Sequence, residues 1–398
     1  MPTFGRSFLS HWWLDPAATY LNHGTVGATP RVVLDAQHAW QRRAEAQPAA
    51  FLFRELMRLT PDDPAAPRPL LRQAADAVGE FVGVRGDDLV FVDNASTGVN
   101  AVLRSIALRP GDEIVVLDQA YGAVIKAAEF VARAVGAKVV VVATPFPVQG
   151  DPTGEYADAV ERALTPRTRL AILDHISSHT ALTLPVAEMT ARCRARGVPV
   201  LIDGAHAPGA IALDVAALGA DWYVGNLHKW AFAPRGCGVL WAAPERRRGL
   251  HPAVISWGVT NDDWLQEFDW TGTRDPSPWL AAPAGLDFMH TVLGVAAMRE
   301  HNHRLAWEGA RHLAARWGRP WTTPEAMVGC MASVPLPERL GPADAATAQH
   351  LRDVLLFEHG IEIPVIALAG GLWLRLSIQV YNDEGDIERL AEAVDALH

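Results

Sequence analysis

Residues 198–230 read VPVLIDGAHAPGAIALDVAALGADWYVGNLHKW, and this stretch decides the fold. Two short apolar runs, VPVLID and WYVGN, flank a segment with helical spacing, as in a unit of two parallel strands and a crossover. Asp203 ends the first run, and Lys229 follows the second one 26 residues later. Parallel strands place their carboxyl ends at one edge of a sheet, where ligands bind. The stretch therefore predicts a carboxylate and an amine at neighbouring strand ends.

The same alternation extends over residues 70–243. The runs that read as strands are DDLVFVDN, EIVVLDQAY, AKVVVVAT, TRLAILDHIS, VPVLIDGAH and CGVLWAAP. They are nearly continuous in apolar residues, as strands buried on both faces are. Amphipathic stretches such as PLLRQAADAVGEFV, AVIKAAEFVARAVG and PVAEMTARCRARG separate them. The pattern predicts an α/β fold with a mainly parallel sheet and helices on both faces.

The flanking regions differ in composition, and we predict three parts. Residues 1–60 are rich in Trp and Pro, with one helix at 31–47, and would contribute to a small domain and to the rim of the active site. Residues 61–284 would form the large ligand-binding domain, in which 250–285 reads as a long functional loop. Residues 285–398 would form a smaller α+β domain with one long helix at 289–318, a strand at 329–337 and a terminal helix.

Composition excludes several classes of protein. The 398 residues carry 35 Lys and Arg against 45 Asp and Glu, a net charge of −10 that disfavours nucleic acid. No apolar run is long enough to span a membrane, and the first residues lack a secretory signal pattern. The three cysteines form no CxxC pair, which argues against a disulfide framework or a cysteine zinc site. A cytoplasmic protein without a membrane or nucleic-acid partner is expected.

Lysine is rare in this chain. Only Lys126, Lys138 and Lys229 occur, and arginine cannot supply a neutral amine. Asp203 and Lys229 together are the residues that pyridoxal 5'-phosphate (PLP) requires: the lysine forms a Schiff base, and the aspartate pairs with the pyridine nitrogen. Each residue alone is better explained as a helix cap or a solvated charge, but the combination favours the cofactor.

Two further segments suit such a cofactor. In DNASTGVN, at 93–100, the backbone N–H groups of Ser96, Thr97 and Gly98 precede a helix and could bind a phosphate, although an ordinary N-cap has the same pattern. Tyr121 follows the next strand and could stack on a flat ring or simply pack. His301 and His303, two apart on a predicted helix, point to different faces and are expected to be solvated rather than to bind a metal. Motifs for nucleotide-binding loops, zinc proteases and serine hydrolases are absent from the sequence.

Several motifs in order carry a resemblance to a known family. They are YLNHGTVGATP at 20–30, DGAHAPG at 203–209, GNLHKW at 225–230, WTGTRDPSPWLA at 270–281 and LRLSIQVYN at 374–382. Together they resemble class V aminotransferase-type PLP enzymes of fold type I, and among these the isopenicillin N epimerase-like proteins. The resemblance implies the fold type I transferase architecture, an amino-acid substrate, and a homodimer with its active site at the subunit interface.

The resemblance also implies roles for single residues. Lys229 would hold PLP and act in catalysis, Asp203 would pair with the ring nitrogen, and His206 would lie close to the ring and also act in catalysis. The remaining implied cofactor contacts are stacking by Tyr121, phosphate binding by Ser96, Thr97 and His228, a reach of Thr273 to the phosphate of the neighbouring subunit, and Ser177 or Ser178 near the cofactor hydroxyl. Arg375 would bind the substrate carboxylate, with Asn22 and His23 bordering the substrate. His179 stands where relatives are expected to have proline, and we interpret it as a polar loop residue.

The reaction follows less directly. Desulfurases of this fold use a mobile thiol shortly before the carboxylate-binding arginine, whereas the stretch before Arg375 has no cysteine. Cys330 lies in an apparent strand, where a buried inert thiol is expected. The resemblance favours epimerisation at Cα, with a C–S lyase acting by β-elimination, or an aminotransferase, as alternatives. A transcription regulator built on this fold would need a basic DNA-binding domain, which the first sixty residues do not resemble.

Overall fold

The computed structural model describes residues 3–57, 67–150, 152–260 and 263–397. The strands in these ranges are β1 (Thr19–Tyr20), β2 (Leu89–Val92), β3 (Glu113–Leu117), β4 (Lys138–Val142), β5 (Thr168–Asp174), β6 (Val200–Gly204), β7 (Trp222–Asn226), β8 (Gly238–Ala242), β9 (Met331–Pro335), β10 (Ile361–Glu362), β11 (Val365–Leu368) and β12 (Gly371–Ser377).

The α-helices of the same ranges are α1 (His23–Val26), α2 (Arg31–Ala46), α3 (Pro48–Ala50), α4 (Leu70–Val82), α5 (Ala95–Ser105), α6 (Gly122–Val135), α7 (Thr153–Ala163), α8 (Val186–Ala195), α9 (Leu227–Trp230), α10 (Trp264–Asp269), α11 (Ser277–Leu280), α12 (Ala282–Phe288), α13 (Val295–Arg316), α14 (Ala345–Phe357) and α15 (Glu384–Ala396). Two segments, Phe51–Leu56 and Met289–Leu293, are wound as π-helix.

Seven strands form the central sheet, in the order β2-β8-β7-β6-β5-β3-β4. Strands β3 to β7 are mutually parallel where they pair, and β8 runs antiparallel to both β2 and β7. The predicted α/β class with a mainly parallel sheet is confirmed. The reversal of β8 follows from its connection, because the chain returns from β7 through only residues 227–237. A connection this short suits an antiparallel neighbour, whereas parallel neighbours need a full crossover.

Both faces of the central sheet are covered by helices. Along β3, Val115 and Leu117 join one hydrophobic cluster, and Ile114 and Val116 join another on the opposite face. Burying each such side chain stabilises the folded state by about 1.5–3 kcal/mol. Apolar residues are therefore favoured on both faces of the strands. The edge strand β4 differs from the prediction, since only Val142 of its five residues is buried and Val141 is 51% exposed.

A three-stranded antiparallel sheet, β11-β12-β9, forms the core of the C-terminal part. The N-terminal segment joins this part, because β1 pairs in parallel with β10 and the N–H of Gly5 donates to the carbonyl of Val380 at 2.8 Å. The predicted domain boundary between residues 60 and 61 lies outside the described residues. The predicted boundary after residue 284 falls within α12, so the division into domains stays a prediction.

Two predictions about the segment after residue 250 are wrong. The 250–285 loop contains α10 and α11, and α12 begins before its end. The long helix expected at 289–318 is broken at Gly294, whose φ of 72° cannot continue a right-handed helix. Within the described ranges, no single helix has the length and apolarity to cross a membrane; Ser277–Leu293 and Val295–Arg316 reach them only as a pair bent by 81°.

His301 and His303 of α13 are half-buried rather than solvated, which corrects a second expectation for this helix. Nε2 of His301 lies 3.0 Å from the carbonyl oxygen of Asn382, and Nδ1 of His303 lies 2.9 Å from that of Val328. Each ring therefore connects the helix to a neighbouring loop. The described residues contain no group of three or more His, Cys, Asp or Glu side chains that could hold a metal ion.

Candidate active site

A cavity of about 350 Å³ lies at the carboxyl ends of the central strands, between the large sheet and β12. Strand ends, helix starts and the N-terminal segment all contribute to it. The residues that line it are Gly24, Thr25, Asn94, Ala95, Ser96, Tyr121, Asp174, Ile176, Ser178, Asp203, Ala205, His206, Asn226, His228, Lys229 and Arg375. The structure thus brings together eight residues of the predicted site, and Asn22 adjoins them through Arg375.

Lys229 lies in α9, the four-residue helix that directly follows β7. Its Nζ is 3.1 Å from Nε2 of His206. Burial lowers the pKa of the amine to about 7, helped by the charge of Arg375 and opposed by Asp203. A substantial fraction of the amine is therefore neutral at physiological pH, as a nucleophile or a base requires.

His206 follows β6 and is buried against the lysine. The indole N–H of Trp230 points to Nδ1 of His206 at 3.4 Å, which makes Nδ1 the acceptor. Burial, followed by the charge of Lys229, holds the pKa of His206 well below its usual value, so the ring is neutral. We therefore assign its single proton to Nε2, where it donates to the lone pair of the Lys229 amine.

Asp203 and Asp174 end the neighbouring strands β6 and β5. Oδ1 of Asp203 accepts the N–H of Ala205 at 3.0 Å, and burial raises the pKa of this carboxyl. Burial also raises the pKa of Asp174 well above its usual value, and the charge of Asp203 adds to the effect. Sequence reasoning overlooked Asp174, although it also ends an apolar run.

The turn before α5 holds the predicted phosphate-binding residues, and only part of it faces the cavity. Ser96 lines the cavity, whereas Thr97 lines a smaller neighbouring cavity. The N–H of Thr97 donates to Oδ1 of Asn94 at 3.0 Å, and that of Gly98 to the Asn94 carbonyl at 3.2 Å. These two amides are therefore occupied by the helix cap, in contrast to the expectation of three available amides.

Asn226 ties this turn to the end of β7. Its Oδ1 accepts the N–H of Ala95 at 2.8 Å, and its side chain lines the cavity beside Asn94. The sequence signal for both asparagines was weak, because an Asn after a strand is also common in simple turns.

The aromatic groups at the cavity have contrasting environments. Tyr121 precedes α6 and is 46% exposed, so one face of its ring remains accessible. Nδ1 of His228 lies 2.8 Å from the carbonyl oxygen of Cys237. Because a carbonyl oxygen only accepts, Nδ1 carries the proton and donates it. Burial lowers the pKa of His228 to about 4, so Nε2 of the neutral ring has no proton to give to a phosphate.

Ser177 and Ser178 have different surroundings. Ser177 is buried, with its Oγ 2.5 Å from that of Thr180, and it also accepts the N–H of Leu182 at 2.9 Å. Ser178 lines the cavity, and its carbonyl accepts a hydrogen bond from Arg375. Of the two serines, Ser178 is the one placed to reach a cofactor.

Arg375 projects from β12 into the cavity and is 4% exposed. Nη1 donates to the carbonyl of Ser178 at 2.5 Å, and Nη2 donates to Thr25 Oγ1 at 2.8 Å and to Asn22 Oδ1 at 3.4 Å. All three acceptors are neutral, and Nε has no partner among the described residues. Burial lowers the pKa of Arg375 to about 10, so the cation persists at neutral pH, and no carboxylate of the described residues forms an ion pair with it.

Asn22 and His23 have different positions, although they are neighbours in sequence. Nδ2 of Asn22 donates to Glu362 Oε1 at 2.8 Å, which turns Oδ1 toward Arg375. His23 is fully buried, with Nδ1 2.8 Å from the Tyr381 hydroxyl and Nε2 2.9 Å from the Lys229 carbonyl. Because both ring nitrogens are occupied outside the cavity, His23 supports the lysine backbone instead of bordering a substrate, and that prediction is corrected.

Three remaining predicted residues lie outside the cavity lining. Thr273 is exposed, and the next residue, Arg274, stacks on Trp279 with 3.8 Å between guanidinium and ring centre. The His179 side chain is exposed, while its carbonyl accepts from Ser333 Oγ at 2.6 Å. Cys330 is buried, and burial raises the pKa of its thiol, which agrees with the inert thiol expected there.

The chemistry of this cavity fits the predicted cofactor. A primary amine that is partly neutral lies beside a buried carboxylate, a polar turn at a helix start lies nearby, and an accessible aromatic face is present. The amine can bind the aldehyde of the cofactor, the carboxylate can pair with its pyridine nitrogen, and the polar turn can bind its phosphate.

Comparison with known proteins gives an independent result. The family model "Aminotransferase class-V" matches residues 67–390. Isopenicillin N epimerase of Amycolatopsis lactamdurans is 36% identical, with 96% of each chain covered. Putative L-cysteine desulfhydrase 1 of Oryza sativa subsp. japonica is 35% identical, with 95% of this chain and 82% of that protein covered.

Solved structures agree in fold. The cystine C–S lyase C-DES, in complex with cysteine persulfide, superposes with a TM-score of 0.76 at 24% identity, covering 98% of this chain and 99% of that one. The apo cysteine desulfurase of Thermococcus onnurineus NA1 gives a TM-score of 0.80 at 19% identity, covering 100% and 98%. The predicted resemblance, fold class and class of enzyme are confirmed. The chain belongs to the class V aminotransferase family.

Proposed function

We propose that this protein is a PLP-dependent enzyme that acts at Cα of an amino-acid substrate, and that its reaction is an epimerisation. One observation carries the proposal: a lysine amine with a pKa of about 7 faces the same cavity as a buried carboxylate and an unbalanced arginine. The lysine and the buried carboxylate can hold the cofactor, to which the amino group of an α-amino acid binds, and the arginine can bind the carboxylate of that substrate.

The cofactor, when bound, withdraws electrons from Cα and makes its hydrogen acidic. Lys229 would hold its aldehyde carbon, Asp203 its ring nitrogen and Tyr121 its ring face. Ser96, Thr97 and His228 are the proposed phosphate contacts, and Ser178 the proposed contact of the cofactor hydroxyl. Because the Thr97 amide and hydroxyl both donate to Asn94 Oδ1 and the His228 Nδ1–H donates to the Cys237 carbonyl, the main proposed phosphate contact is Ser96, which lines the cavity.

The protein's own groups then bind the substrate and move its proton. The guanidinium of Arg375 presents donors to a carboxylate, and the free energy of burying this unbalanced cation is recovered when the anion enters. Nζ of Lys229, once free and neutral, can take the Cα proton on one face, and epimerisation requires a second donor, a histidine, a tyrosine or water, to deliver a proton to the opposite face. His206 holds Nζ through its Nε2–H and restrains the position from which the transfer takes place.

A C–S lyase acting by β-elimination is the second candidate. Its support is the near equality of the two kinds of relatives, 36% identity to an epimerase and 35% to a putative desulfhydrase. An aminotransferase is the third. We also propose a homodimer, in which the exposed Thr273 reaches the phosphate site of the neighbouring subunit, and a cytoplasmic location.

The deciding experiment is proton NMR in D₂O with PLP-loaded enzyme and a panel of amino acids and cysteine conjugates. We expect exchange at Cα of an otherwise intact substrate, with scrambled configuration, and no exchange with Lys229→Ala. Release of pyruvate and a sulfur fragment would replace the epimerase by the lyase. Absence of both reactions across the panel, in protein that carries bound PLP, would contradict the proposed epimerisation.

A further inference from the structure

A second carboxylate lies beside the aspartate proposed to pair with the cofactor. Asp174 ends β5 and its Cα is the register partner of Asp203 on β6. Register partners on neighbouring strands, about 4.8 Å apart, direct their side chains to the same face of the sheet. The two residues are only 3% and 4% exposed, and both line the cavity. They therefore form a buried pair of adjacent acids.

The surroundings of the two acids are unequal. Asp203 accepts the N–H of Ala205, and the charge of Lys229 favours its ionised form. The backbone N–H groups of Tyr121 and of Asp174 itself lower the pKa of the Asp174 carboxyl, and no cation does so. Oδ2 of Asp174 is buried without a hydrogen-bond partner among the described residues.

An ionised carboxylate oxygen that is buried without a donor is unfavourable, and a second negative charge beside it is more so. A protonated oxygen at the same place would be a donor and would have the neighbouring carboxylate as its acceptor. One proton on Oδ2 of Asp174 therefore resolves both the like charges and the unpaired atom.

We propose that Asp174 is a neutral carboxylic acid that donates to the ionised Asp203 and positions the cofactor-binding groups. Its hydroxyl orients the Asp203 carboxylate, and its other oxygen accepts the N–H of Tyr121, the residue that precedes α6 and lines the cavity. Asp174 would thus connect Asp203, at the edge of the cofactor ring, with Tyr121, on the face of the ring. The cofactor part of this inference rests on the proposed function, whereas the shared proton does not.

The shared proton can be measured in the protein without cofactor. At about pH 8 an ordinary carboxyl group is ionised, and the buried Asp269, with a pKa of about 6, is ionised as well. We expect an infrared carbonyl band of a protonated carboxyl group in the wild type and in the exposed-site control Asp287→Asn, and no such band in Asp174→Asn. A wild type without the band, or a band that persists in Asp174→Asn, would overturn the assignment.

The positioning role is tested by cofactor affinity and visible absorption. Asp174→Asn keeps a donor for Asp203 and an acceptor for Tyr121, so we expect PLP binding to weaken by less than about fivefold. Asp174→Leu removes both and should weaken binding by more than about tenfold and shift the absorption band. Equal affinity of Asp174→Leu and wild type would refute positioning, and equal losses in both variants would refute a neutral acid. A wild type that binds no PLP would refute the proposed function but leave the infrared result standing.

Discussion

Lys229 follows a strand of the central sheet, Arg375 lies in the small sheet, and the two cations face the same cavity. Burial is the first cause of the lowered pKa of both, but the consequences differ. The pKa of Lys229 falls to about 7, which crosses into the physiological range. That of Arg375 falls only to about 10, because its ordinary value is much higher. The same cavity therefore contains an amine that can lose its proton and a guanidinium that keeps its charge.

The neighbours of the two cations reinforce this difference. Nζ of Lys229 faces the Nε2–H of a neutral histidine, a donor that only an unprotonated amine can accept. Arg375 donates to three neutral oxygens, which hold the guanidinium in place without neutralising it. Similar burial thus gives a reactive group in one place and an anchor for an anion in the other, and the chemistry of each side chain decides which.

The largest effect is expected at Lys229. Lys229→Ala should lower kcat by about 10⁴-fold or more and abolish the visible absorption of bound cofactor. Lys229→Arg should lose as much, because a guanidinium supplies no neutral amine. Steady-state kinetics and absorption spectra measure both. Lys126→Ala, at an exposed position on α6, is the control and should match the wild type. Activity retained in Lys229→Arg would contradict the requirement for a neutral amine at this position.

A smaller and qualitatively different effect is expected at Arg375. Arg375→Ala should raise KM about 100-fold, because hydrogen bonds to charged groups contribute about 1.5–3 kcal/mol each, while the cofactor absorption remains. The KM of Arg375→Lys should lie between those of the wild type and Arg375→Ala, since one ammonium cannot match the bidentate contact of a guanidinium with a carboxylate. Arg352→Ala, on the exposed face of α14, is the matched control. An unchanged KM in Arg375→Ala, in protein with a wild-type melting curve, would remove the carboxylate role.

The comparison is sharpened by pH. Below its pKa of about 7 the Lys229 amine is protonated and cannot attack an aldehyde, so cofactor capture by the apoprotein should accelerate with rising pH. Between pH 5 and pH 7 the neutral fraction, and hence the rate, should increase about 50-fold and then level off. Stopped-flow absorption measures this, with Lys229→Ala subtracting the exposed lysines. A rate that continues to rise toward pH 10 would show an unperturbed lysine.

Much of the fold was predictable because burial on both faces leaves a readable pattern. The apolar runs gave the central strands β5 to β8, and the acid and the lysine at two strand ends indicated the site. The apolar runs did not specify what neighbours decide: nothing in the run CGVLWAAP shows that β8 is antiparallel, and the prediction of a buried strand was wrong for β4, because nothing in AKVVVVAT shows that it is an exposed edge. A strand carries its own hydrophobicity but not its position in the sheet.

The site residues divide in the same way. Asp203, Lys229 and Arg375 have strong local signals, whereas Thr25, Asn226 and Glu362 contribute through contacts with residues that are distant in sequence. His23 shows the converse, since a motif match placed it near the substrate and packing turned it into the core. Asp174 had the same strand-end signal as Asp203, and only the register of β5 against β6 reveals that the two are a pair.

The sequence by itself determined the α/β class, the lysine able to act as an amine, and the family to which the chain belongs, because these depend on residue type and order. Tertiary structure alone decided which groups are charged. The pKa of Lys229, the uncompensated cation of Arg375 and the unequal acids at 174 and 203 all arise from burial and from partners brought together by folding. Proton affinity depends on the local dielectric and on charges within a few ångströms, and these distances exist only in the folded chain.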